Sequence, residues 1–147
     1  MGCILVIDEQ DSFREGVRNL LEIRLPSYSV IASDFELESY SDLETMPDLV
    51  IVDPFLKGEL SLPVIDFFID KGVKIVLLSM EADKENILIL LKRDIQGFLM
   101  KDMSTTDLVN YTYNMLSGER YIHPFVANIL LDEYQEKNEP NRSLETA

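Results

Sequence analysis

Short runs of continuous apolar residues alternate along this chain with stretches whose apolar residues recur at helical spacing. The runs predict five strands, at residues 3–8, 28–33, 48–53, 74–79 and 97–101. The other stretches predict five helices, at residues 12–25, 36–46, 62–72, 84–94 and 104–118. Strands that are apolar throughout are typical of a parallel sheet, because both of its faces are buried. The alternation therefore predicts an α/β fold, a doubly wound parallel sheet with helices on both faces.

Residues that favour helix ends stand at the borders of several stretches. The expected N-terminal caps are Asp11 or Ser12 for the first helix and Ser104 or Thr105 for the fifth. Gly72 and Gly118 stand where helices commonly end, since glycine tolerates the left-handed conformation found there. Between the third strand and the third helix we expect a loop that contains Gly58.

A further apolar stripe follows Gly118. Its members are spaced for one helical face and are Phe125, Val126, Ile129, Leu130 and Tyr134. Residues 136–147 are polar and are expected to form a disordered or linker-like tail. We therefore divide the chain into one domain over residues 1–119 and a linker helix with a polar tail over residues 120–147. The helix is expected to extend beyond the domain, towards a part absent from this sequence.

Composition narrows the function classes. The 147 residues correspond to about one domain, and a net charge of −14 should repel phosphate backbones. The chain by itself is therefore not expected to bind nucleic acid. Its single cysteine, Cys3, cannot form an internal disulfide, and no apolar run approaches the ~18 residues that span a membrane. With no secretory signal either, we expect a cytoplasmic protein without a membrane partner.

Charged and hydroxyl side chains stand where the predicted strands end: Asp8, Glu9, Asp53, Ser79 and Lys101. Because right-handed crossovers place the carboxyl ends of parallel strands at one edge, we expect these side chains to converge. Clustered carboxylates cannot all stay ionised cheaply without a cation, and Mg²⁺ is the usual hard ion with oxygen ligands. A carboxylate beside Mg²⁺ and a lysine suits in-line attack on a phosphoryl group, which a nearby hydroxyl would hydrogen-bond.

Four segments together resemble the receiver domain of two-component response regulators. They are "ILVIDEQDSFREGVRNLLE", "PDLVIVDPFLKG", "VLLSM" and "GFLMKD", which span nearly all of residues 3–118. The stretch "GERYIHPFVANILLDEY" resembles the segment after the receiver in NarL/FixJ-type (LuxR-type) regulators. The resemblance implies a flavodoxin-like sheet with strand order 2-1-3-4-5. It also implies a C-terminal helix-turn-helix domain that this sequence lacks, and no enzyme activity beyond self-phosphotransfer and autodephosphorylation.

The resemblance also implies a role for each residue at the strand ends. The implied Mg²⁺ ligands are Asp8, Glu9, Asp53 and the backbone carbonyl of Phe55. Asp53 would be the phospho-acceptor and Lys101 the contact to the phosphoryl group. Ser79 would be the switch hydroxyl, and Phe98 the aromatic side chain whose rotamer follows it.

The implied partners are a sensor histidine kinase, which supplies the phosphoryl group, and a second copy of the chain in a homodimer. DNA would be contacted only through the absent C-terminal domain. In the implied switch, the phosphoryl group draws Ser79 inward and Phe98 occupies the vacated space. The surface around the fourth and fifth strand–helix units then changes, and dimerisation is the expected output.

Three positions depart from the family pattern and keep a second function open. Glu9 replaces the more usual aspartate, Pro54 removes an N–H beside the acceptor, and the bulk of Met80 narrows access to Asp53. An atypical receiver would act as a phosphorylation-independent dimerisation or interaction module. In that protein the pair of Lys101 with Asp53 would be a purely structural salt bridge.

A third possibility is an enzyme that hydrolyses phosphate esters on the same fold. Aspartate-nucleophile phosphatases normally carry a second aspartate two residues after the nucleophile, whereas Phe55 stands at that position here. A nucleotide-binding enzyme would need a glycine-rich turn after the first strand, and "DEQDS" contains no glycine. Both observations argue against the enzyme.

Overall fold

A computed structural model of the protein describes residues 2–34, 43 and 45–138. The main sheet contains β1 (Gly2–Ile7), β2 (Tyr28–Ser33), β3 (Leu49–Val52), β6 (Lys74–Ser79), β7 (Gly97–Met100) and β8 (Tyr121–Ile122). Its spatial order is β2-β1-β3-β6-β7-β8, and every neighbouring pair is parallel. The first five of these are the predicted strands in the predicted order 2-1-3-4-5. The two-residue strand β8 adds a sixth at the edge.

Helices cover both faces of the sheet, as predicted. The described helices are α1 (Asp11–Arg24), α2 (Leu62–Asp70), α3 (Lys84–Leu90), α4 (Thr105–Leu116) and α5 (Pro124–Lys137). Alternate strand residues point to opposite faces. On β1, Leu5 and Ile7 pack in the core beneath α2, α3 and α5, whereas Ile4 and Val6 pack beneath α1 and α4. This alternation explains why the central strands are apolar at every position.

The helix caps were predicted only in part. Ser104 caps α4, since its hydroxyl accepts a hydrogen bond from the Asp107 N–H at 3.1 Å. The expected cap of α1 by Asp11 or Ser12 is wrong, because the helix begins at Asp11 and Gln10 occupies the cap position without a side-chain cap bond. The Arg14 guanidinium reaches back instead and donates to the Asp8 carbonyl oxygen at 2.7 Å.

The expected loop around Gly58 contains a small hairpin. Strands β4 (Phe55–Leu56) and β5 (Glu59–Leu60) pair antiparallel across a two-residue turn. Lys57 and Gly58 in that turn have φ values of 54° and 78°. Two positive φ values in succession are what a tight two-residue hairpin needs, and the conformation is unfavourable for a lysine. The hairpin begins two residues after Asp53 and therefore borders the predicted site.

Residues 120–138 pack on the domain and do not extend away from it. Val126 on α5 is fully buried in the core cluster, and Ile129 and Leu130 pack against that cluster. The predicted stripe is wrong at its two ends, because Phe125 and Tyr134 are 52% and 67% exposed. The division at residues 119 and 120 stays a prediction.

Two further predictions fall on parts of the chain that are not described. The polar helix predicted at residues 36–46 lies largely outside the described residues. The tail predicted at residues 136–147 is wrong at its start, because Glu136 and Lys137 belong to α5, and its part from residue 139 onward lies outside the described residues. Within the described ranges, no helix is long and apolar enough to cross a membrane.

Gly97 at the start of β7 tests the packing of the sheet edge on α4. A Cβ added there would collide with the Met115 side chain and lie 2.7 Å from the Tyr121 carbonyl oxygen. Because that oxygen belongs to the backbone of β8, it cannot move freely, and Gly97→Ala should destabilise the fold by ~1–3 kcal/mol.

Gly16→Ala is the matched control, because Gly16 lies in α1 with nothing within 4 Å of an added Cβ. It should stabilise the fold by ~0.5–1 kcal/mol, since alanine favours helix. Urea unfolding monitored by circular dichroism measures both free energies. Equal stabilities for the two variants would show that β8 does not pack against Gly97 as described.

Candidate functional site

The backbone continues its hydrogen bonds one residue beyond the strands and so fixes the predicted site residues. Ile7 is paired with Val52 in the register of β1 and β3, so Asp8 and Asp53 come next to one another at the sheet edge. The Asp53 N–H donates to the Ile7 carbonyl oxygen at 3.1 Å. On the other side the Lys101 N–H donates to the Ser79 carbonyl oxygen at 2.8 Å. The edge is therefore rigid where the functional groups begin.

One ammonium group bridges two of the predicted carboxylates. The Nζ atom of Lys101 lies 2.7 Å from Oδ2 of Asp8 and 2.9 Å from Oδ2 of Asp53. The side chains are nearly withdrawn from solvent, with 6% of Lys101, 3% of Asp8 and 13% of Asp53 exposed. Phe13 also contributes, since Nζ lies 4.4 Å from the centroid of its ring. The structure thus brings together three of the five predicted strand-end residues in direct contact.

Burial and ion pairing shift the pKa of each of these groups in opposite directions. Burial raises the pKa of the Asp53 carboxyl, and this outweighs the Lys101 ammonium and the Phe55 N–H, which lower it. Burial alone would lower the pKa of Lys101. Its hydrogen bonds to Asp8 and Asp53 outweigh that effect, so the pKa of Lys101 is raised. The lysine therefore stays charged, while the Asp53 carboxylate is held at a cost in solvation.

The segment after Asp53 folds back on that residue. The Phe55 N–H donates to Oδ1 of Asp53 at 2.8 Å, and so replaces the N–H that Pro54 lacks. The hydroxyl of buried Ser61 donates to the Asp53 carbonyl oxygen at 2.8 Å, and the Ser61 N–H donates to the Pro54 carbonyl oxygen at 2.8 Å. Each residue from 53 to 55 is thus tied by at least one of these bonds.

Glu9 follows Asp8 at the same sheet edge, but its side chain points to the hairpin. Its Oε2 atom accepts a hydrogen bond from the Lys57 N–H at 2.9 Å. The extra methylene that distinguishes glutamate from aspartate gives the carboxylate this reach. Glu9 therefore joins the β1 edge to the turn of the β4–β5 hairpin, which the sequence did not predict.

Ser79 and Phe98 occupy defined positions, Ser79 beside the loop after β6 and Phe98 in the core. The Ser79 hydroxyl donates to the Glu81 carbonyl oxygen, and the Glu81 N–H donates back to the hydroxyl at 3.2 Å. Phe98 is 1% exposed and packs in the core cluster that contains Ile87 and Val126. The hydroxyl is engaged with the loop after β6, and the aromatic ring is fully inside.

Sequence reasoning missed Gln10. Its side-chain oxygen accepts a hydrogen bond from Lys101 Nζ at 3.1 Å, and its backbone N–H donates to Oδ1 of Asp8 at 2.9 Å. Its amide nitrogen lies 3.9 Å from the sulfur of Met80, which is 66% exposed. Gln10 thus contacts both Lys101 and Asp8, and its side chain reaches the exposed Met80. A glutamine next to an acidic pair carries no sequence signal of such a role.

The site opens to solvent through a cavity of about 240 Å³, lined by Glu9, Gln10, Asp53, Phe55, Ser79, Met80 and Glu81. Among the described residues, no three His, Cys, Asp or Glu side chains are grouped so as to hold a metal ion as they stand. The donor chemistry nevertheless fits a hard cation. Asp8, Glu9 and Asp53 place three carboxylates at this edge against the single ammonium of Lys101, and oxygen ligands are those that Mg²⁺ prefers.

The comparison with a protein family gives one extended match. The model of the family described as the response regulator receiver domain matches residues 4–113. That range contains every residue assigned above to the ion pair, the cavity and the switch positions. It ends within α4, before β8 and α5.

Individual relatives are similar over most of the chain. The transcriptional regulatory protein DegU of Brevibacillus brevis is 31% identical over 138 residues, which cover 90% of this chain and 57% of that protein. The nitrate/nitrite response regulator protein NarL of Escherichia coli K12 is 29% identical over 131 residues, with coverages of 86% and 60%. The chain therefore spans less than two thirds of the length of either relative.

A solved structure is also similar. The two-component response regulator of the LuxR family from Aurantimonas sp. SI85-9A1 matches with a TM-score of 0.77 and 26% identity. The match covers 91% of this chain and 98% of that one. The coverage shows that the similarity extends beyond the family match, into the C-terminal part of the chain.

Lys101→Met tests whether the ion pair supports the fold. Removing the ammonium leaves two buried carboxylates without their partner, so the free energy of unfolding should fall by ~3–5 kcal/mol. Adding Asp53→Asn to that variant should recover part of the loss, because one of the two charges is then removed. Chemical unfolding of the single and double variants measures both effects.

Lys71→Met is the control, because Lys71 is exposed at the other end of the sheet and lies over the ring of Phe67. It should change stability by no more than about 0.5 kcal/mol. If Lys101→Met were as mild as this control, the buried pair would contribute nothing to the fold.

Proposed function

Because this chain belongs to the response regulator receiver domain family, in the NarL/FixJ (LuxR-type) branch, we propose that Asp53 accepts a phosphoryl group from a sensor histidine kinase. One observation carries the proposal above the others. The Asp53 carboxylate is anchored at the bottom of an open cavity, with one oxygen on Lys101 and the other on the Phe55 N–H. A carboxylate that served only the fold would not need to face an opening.

In phosphoryl transfer the protein contributes mainly by positioning the reacting groups and by stabilising their charge. An oxygen of the Asp53 carboxylate forms the new bond to phosphorus while the bond from phosphorus to the donor's leaving atom breaks. The Lys101 ammonium already contacts the Asp53 carboxylate and also pairs with Asp8. It can therefore stabilise the negative charge on the transferred phosphoryl oxygens while it stays paired with Asp8. Gln10 positions Lys101 from the other side. These roles make the chain a phosphoryl acceptor and not an enzyme acting on a separate substrate.

Mg²⁺ fits the remaining negative charge of the site. Asp8, Glu9, Asp53 and the Phe55 carbonyl are the residues that would hold it. When bound, the ion supplies positive charge that neutralises the carboxylates and the incoming phosphoryl oxygens. Glu9 accepts the Lys57 N–H in the described structure, so ion binding by Glu9 exchanges that hydrogen bond for a ligand bond.

The switch we propose starts at Ser79. A phosphoryl group on Asp53 offers oxygens that compete with the Glu81 carbonyl for the Ser79 hydroxyl. Phe98, already inside the core, is held in place once Ser79 has moved towards the acceptor. The population then shifts towards a conformation with an altered surface around α3 and β7.

We propose that the output belongs to a longer protein. The chain spans 57% and 60% of two relatives, one of which is named a transcriptional regulatory protein. We place the receiver in residues 1–119 and the linker in residues 120–147, followed by a DNA-binding helix-turn-helix domain. Phosphorylation in the cytoplasm would then favour a homodimer that pairs two such domains on DNA.

Intact mass spectrometry with Mg²⁺ and acetyl phosphate tests the acceptor directly. The chain should gain about 80 Da, the mass of one phosphoryl group in an acyl phosphate. Asp53→Asn removes the nucleophilic carboxylate and should abolish the gain, whereas Asp48→Asn, outside the cavity, should leave it unchanged. Size-exclusion chromatography of the same samples should show a shift towards dimer only where the mass increases.

Absence of the mass gain at every donor concentration would contradict the proposal. A dimer that forms equally in wild type and Asp53→Asn would then favour the phosphorylation-independent interaction module. A gain that persists in Asp53→Asn would place the phosphoryl group on another residue.

Thermal unfolding with increasing MgCl₂ tests the proposed ligands. At ten times its dissociation constant, the ion should stabilise the folded chain by about 1.4 kcal/mol. Glu9→Gln keeps an oxygen for the Lys57 N–H but loses the charge, so it should weaken the apparent Mg²⁺ affinity at least about tenfold, a loss of about 1.4 kcal/mol. Glu59→Gln, an exposed charge change on the hairpin, is the control. Identical responses of Glu9→Gln and wild type would remove Glu9 from the ligand set.

A further inference from the structure

We name residues 121–137 the C-terminal strap. It begins with β8, which pairs with β7, the strand that contains Phe98. In the register of β7 and β8, Phe98 is paired with Ile122. The His123 N–H donates to the Phe98 carbonyl oxygen at 2.8 Å, and Nδ1 of His123 then caps α5 by accepting the Phe125 N–H at 3.1 Å. The start of the strap is therefore set by the backbone of the predicted switch aromatic.

The first turn of the strap's helix contributes to the core cluster that also contains Phe98. Val126 is fully buried in the cluster that contains Phe98, with Ile87 and Leu90 from α3. Burial of a valine side chain contributes substantially to docking, because its apolar surface is withdrawn from water. Since α5 lies on α3, it covers part of the surface that the proposed switch would change.

The far end of the strap is held by Lys84, the first residue of α3. Its Nζ atom lies 2.9 Å from Glu133 and 2.8 Å from Glu136, both on α5. Two carboxylates on successive turns thus converge on one ammonium at the start of the neighbouring helix. Lys137 also pairs with Glu133, at 3.7 Å, but that pair lies within α5 and holds no second element.

A short, continuous connection leads from Ser79 to Lys84. The Ser79 hydroxyl is bonded to Glu81, and the Asp83 side chain caps α3 by accepting the Asn86 N–H at 3.0 Å. Lys84 follows the cap immediately. A movement of the loop at Ser79 therefore displaces the helix end that holds the strap.

We propose that the strap is an internal partner of α3 whose docking is coupled to the positions of Ser79 and Phe98. With Ser79 on the Glu81 carbonyl, the strap is docked; when Ser79 leaves that carbonyl, α3 shifts and α5 is released. The trigger rests on the proposed function of Asp53, whereas the docking and its dependence on Ser79 do not. The two ends of the strap report on both switch residues, so α5 carries the state of the acceptor towards the part of the protein beyond it.

Hydrogen exchange measured by mass spectrometry tests the docking. Lys84→Met removes both bridges to α3, so amides of α5 should exchange roughly 2- to 20-fold faster. Lys137→Met removes a bridge to the same Glu133 within the helix and should accelerate exchange at most about twofold. Val126→Ala should accelerate it by about tenfold. Unchanged exchange in β1 serves as the internal sign that the fold is intact.

Equal exchange in Lys84→Met and Lys137→Met would overturn the role of Lys84. If the amides of α5 exchange as slowly in Val126→Ala as in wild type, α5 is not docked through Val126 and the proposed docking is wrong.

Ser79→Ala tests the coupling without any phosphoryl group. Loss of the bond to Glu81 should accelerate exchange in residues 80–90 and in α5 together. Ser61→Ala removes another buried hydroxyl bond, near Asp53 but away from α3, and should leave α5 unchanged. If Ser79→Ala accelerates residues 80–90 alone, the loop and the strap are not coupled and the proposal is wrong.

The same measurement with acetyl phosphate and Mg²⁺ reads the modification and the strap in one sample. A mass gain on Asp53 together with faster exchange of α5 supports the proposal. A mass gain with unchanged α5 overturns it and leaves the phosphoryl acceptor standing. Without a mass gain the proposed function fails, and Ser79→Ala alone decides whether the strap is coupled to the loop.

Discussion

The Lys101 ammonium lies between the carboxylates of Asp8 and Asp53, and the three side chains are nearly withdrawn from solvent. A buried charge is tolerated only when its partner is in contact, since desolvation would otherwise exceed the Coulombic gain. Each of the three residues comes directly after a strand of the parallel sheet, so the pair depends on the order of β1, β3 and β7. The sheet in turn places the lysine, which no local interaction would bring to the carboxylates.

The surroundings of this pair divide into one part that is firmly tied and one that can exchange partners. Asp53 has three hydrogen-bond partners besides Lys101: its N–H donates to the Ile7 carbonyl oxygen, its carbonyl oxygen accepts from the Ser61 hydroxyl, and its carboxylate accepts from the Phe55 N–H. The side chain of Glu9, by contrast, bonds to one loop residue, Lys57, and that of Ser79 to one loop residue, Glu81. Such bonds are replaceable by a cation or a phosphoryl oxygen at small net cost, because one polar partner substitutes for another. Asp53 is thus fixed, while the groups around it can exchange partners.

Much of the fold was predictable from local patterns. The apolar runs predict the five strands, because strands buried on two faces, such as β1, β3, β6 and β7, are apolar at nearly every position. Their order and the coverage of both faces follow from the alternation with helices and from the resemblance to receiver domains. Helix caps were less predictable, as Gln10 shows, since a cap depends on which backbone groups lack partners. Strand β8 was missed because two residues are too few to show any periodicity.

The sequence by itself determined which groups stand at the ends of the strands: Asp8, Glu9, Asp53, Ser79 and Lys101. The apolar runs and their order along the chain can be read directly from the sequence. Right-handed crossovers then place the carboxyl ends of the parallel strands at one edge of the sheet. Only the tertiary structure decided how those groups are used. The bond of Glu9 to Lys57 joins residues 48 positions apart, that of Gln10 to Lys101 joins residues 91 apart, and Lys84 meets Glu136 across 52 positions. Such partners are chosen by side-chain reach and by competition among nearby donors in three dimensions, and no periodicity along the chain records that choice.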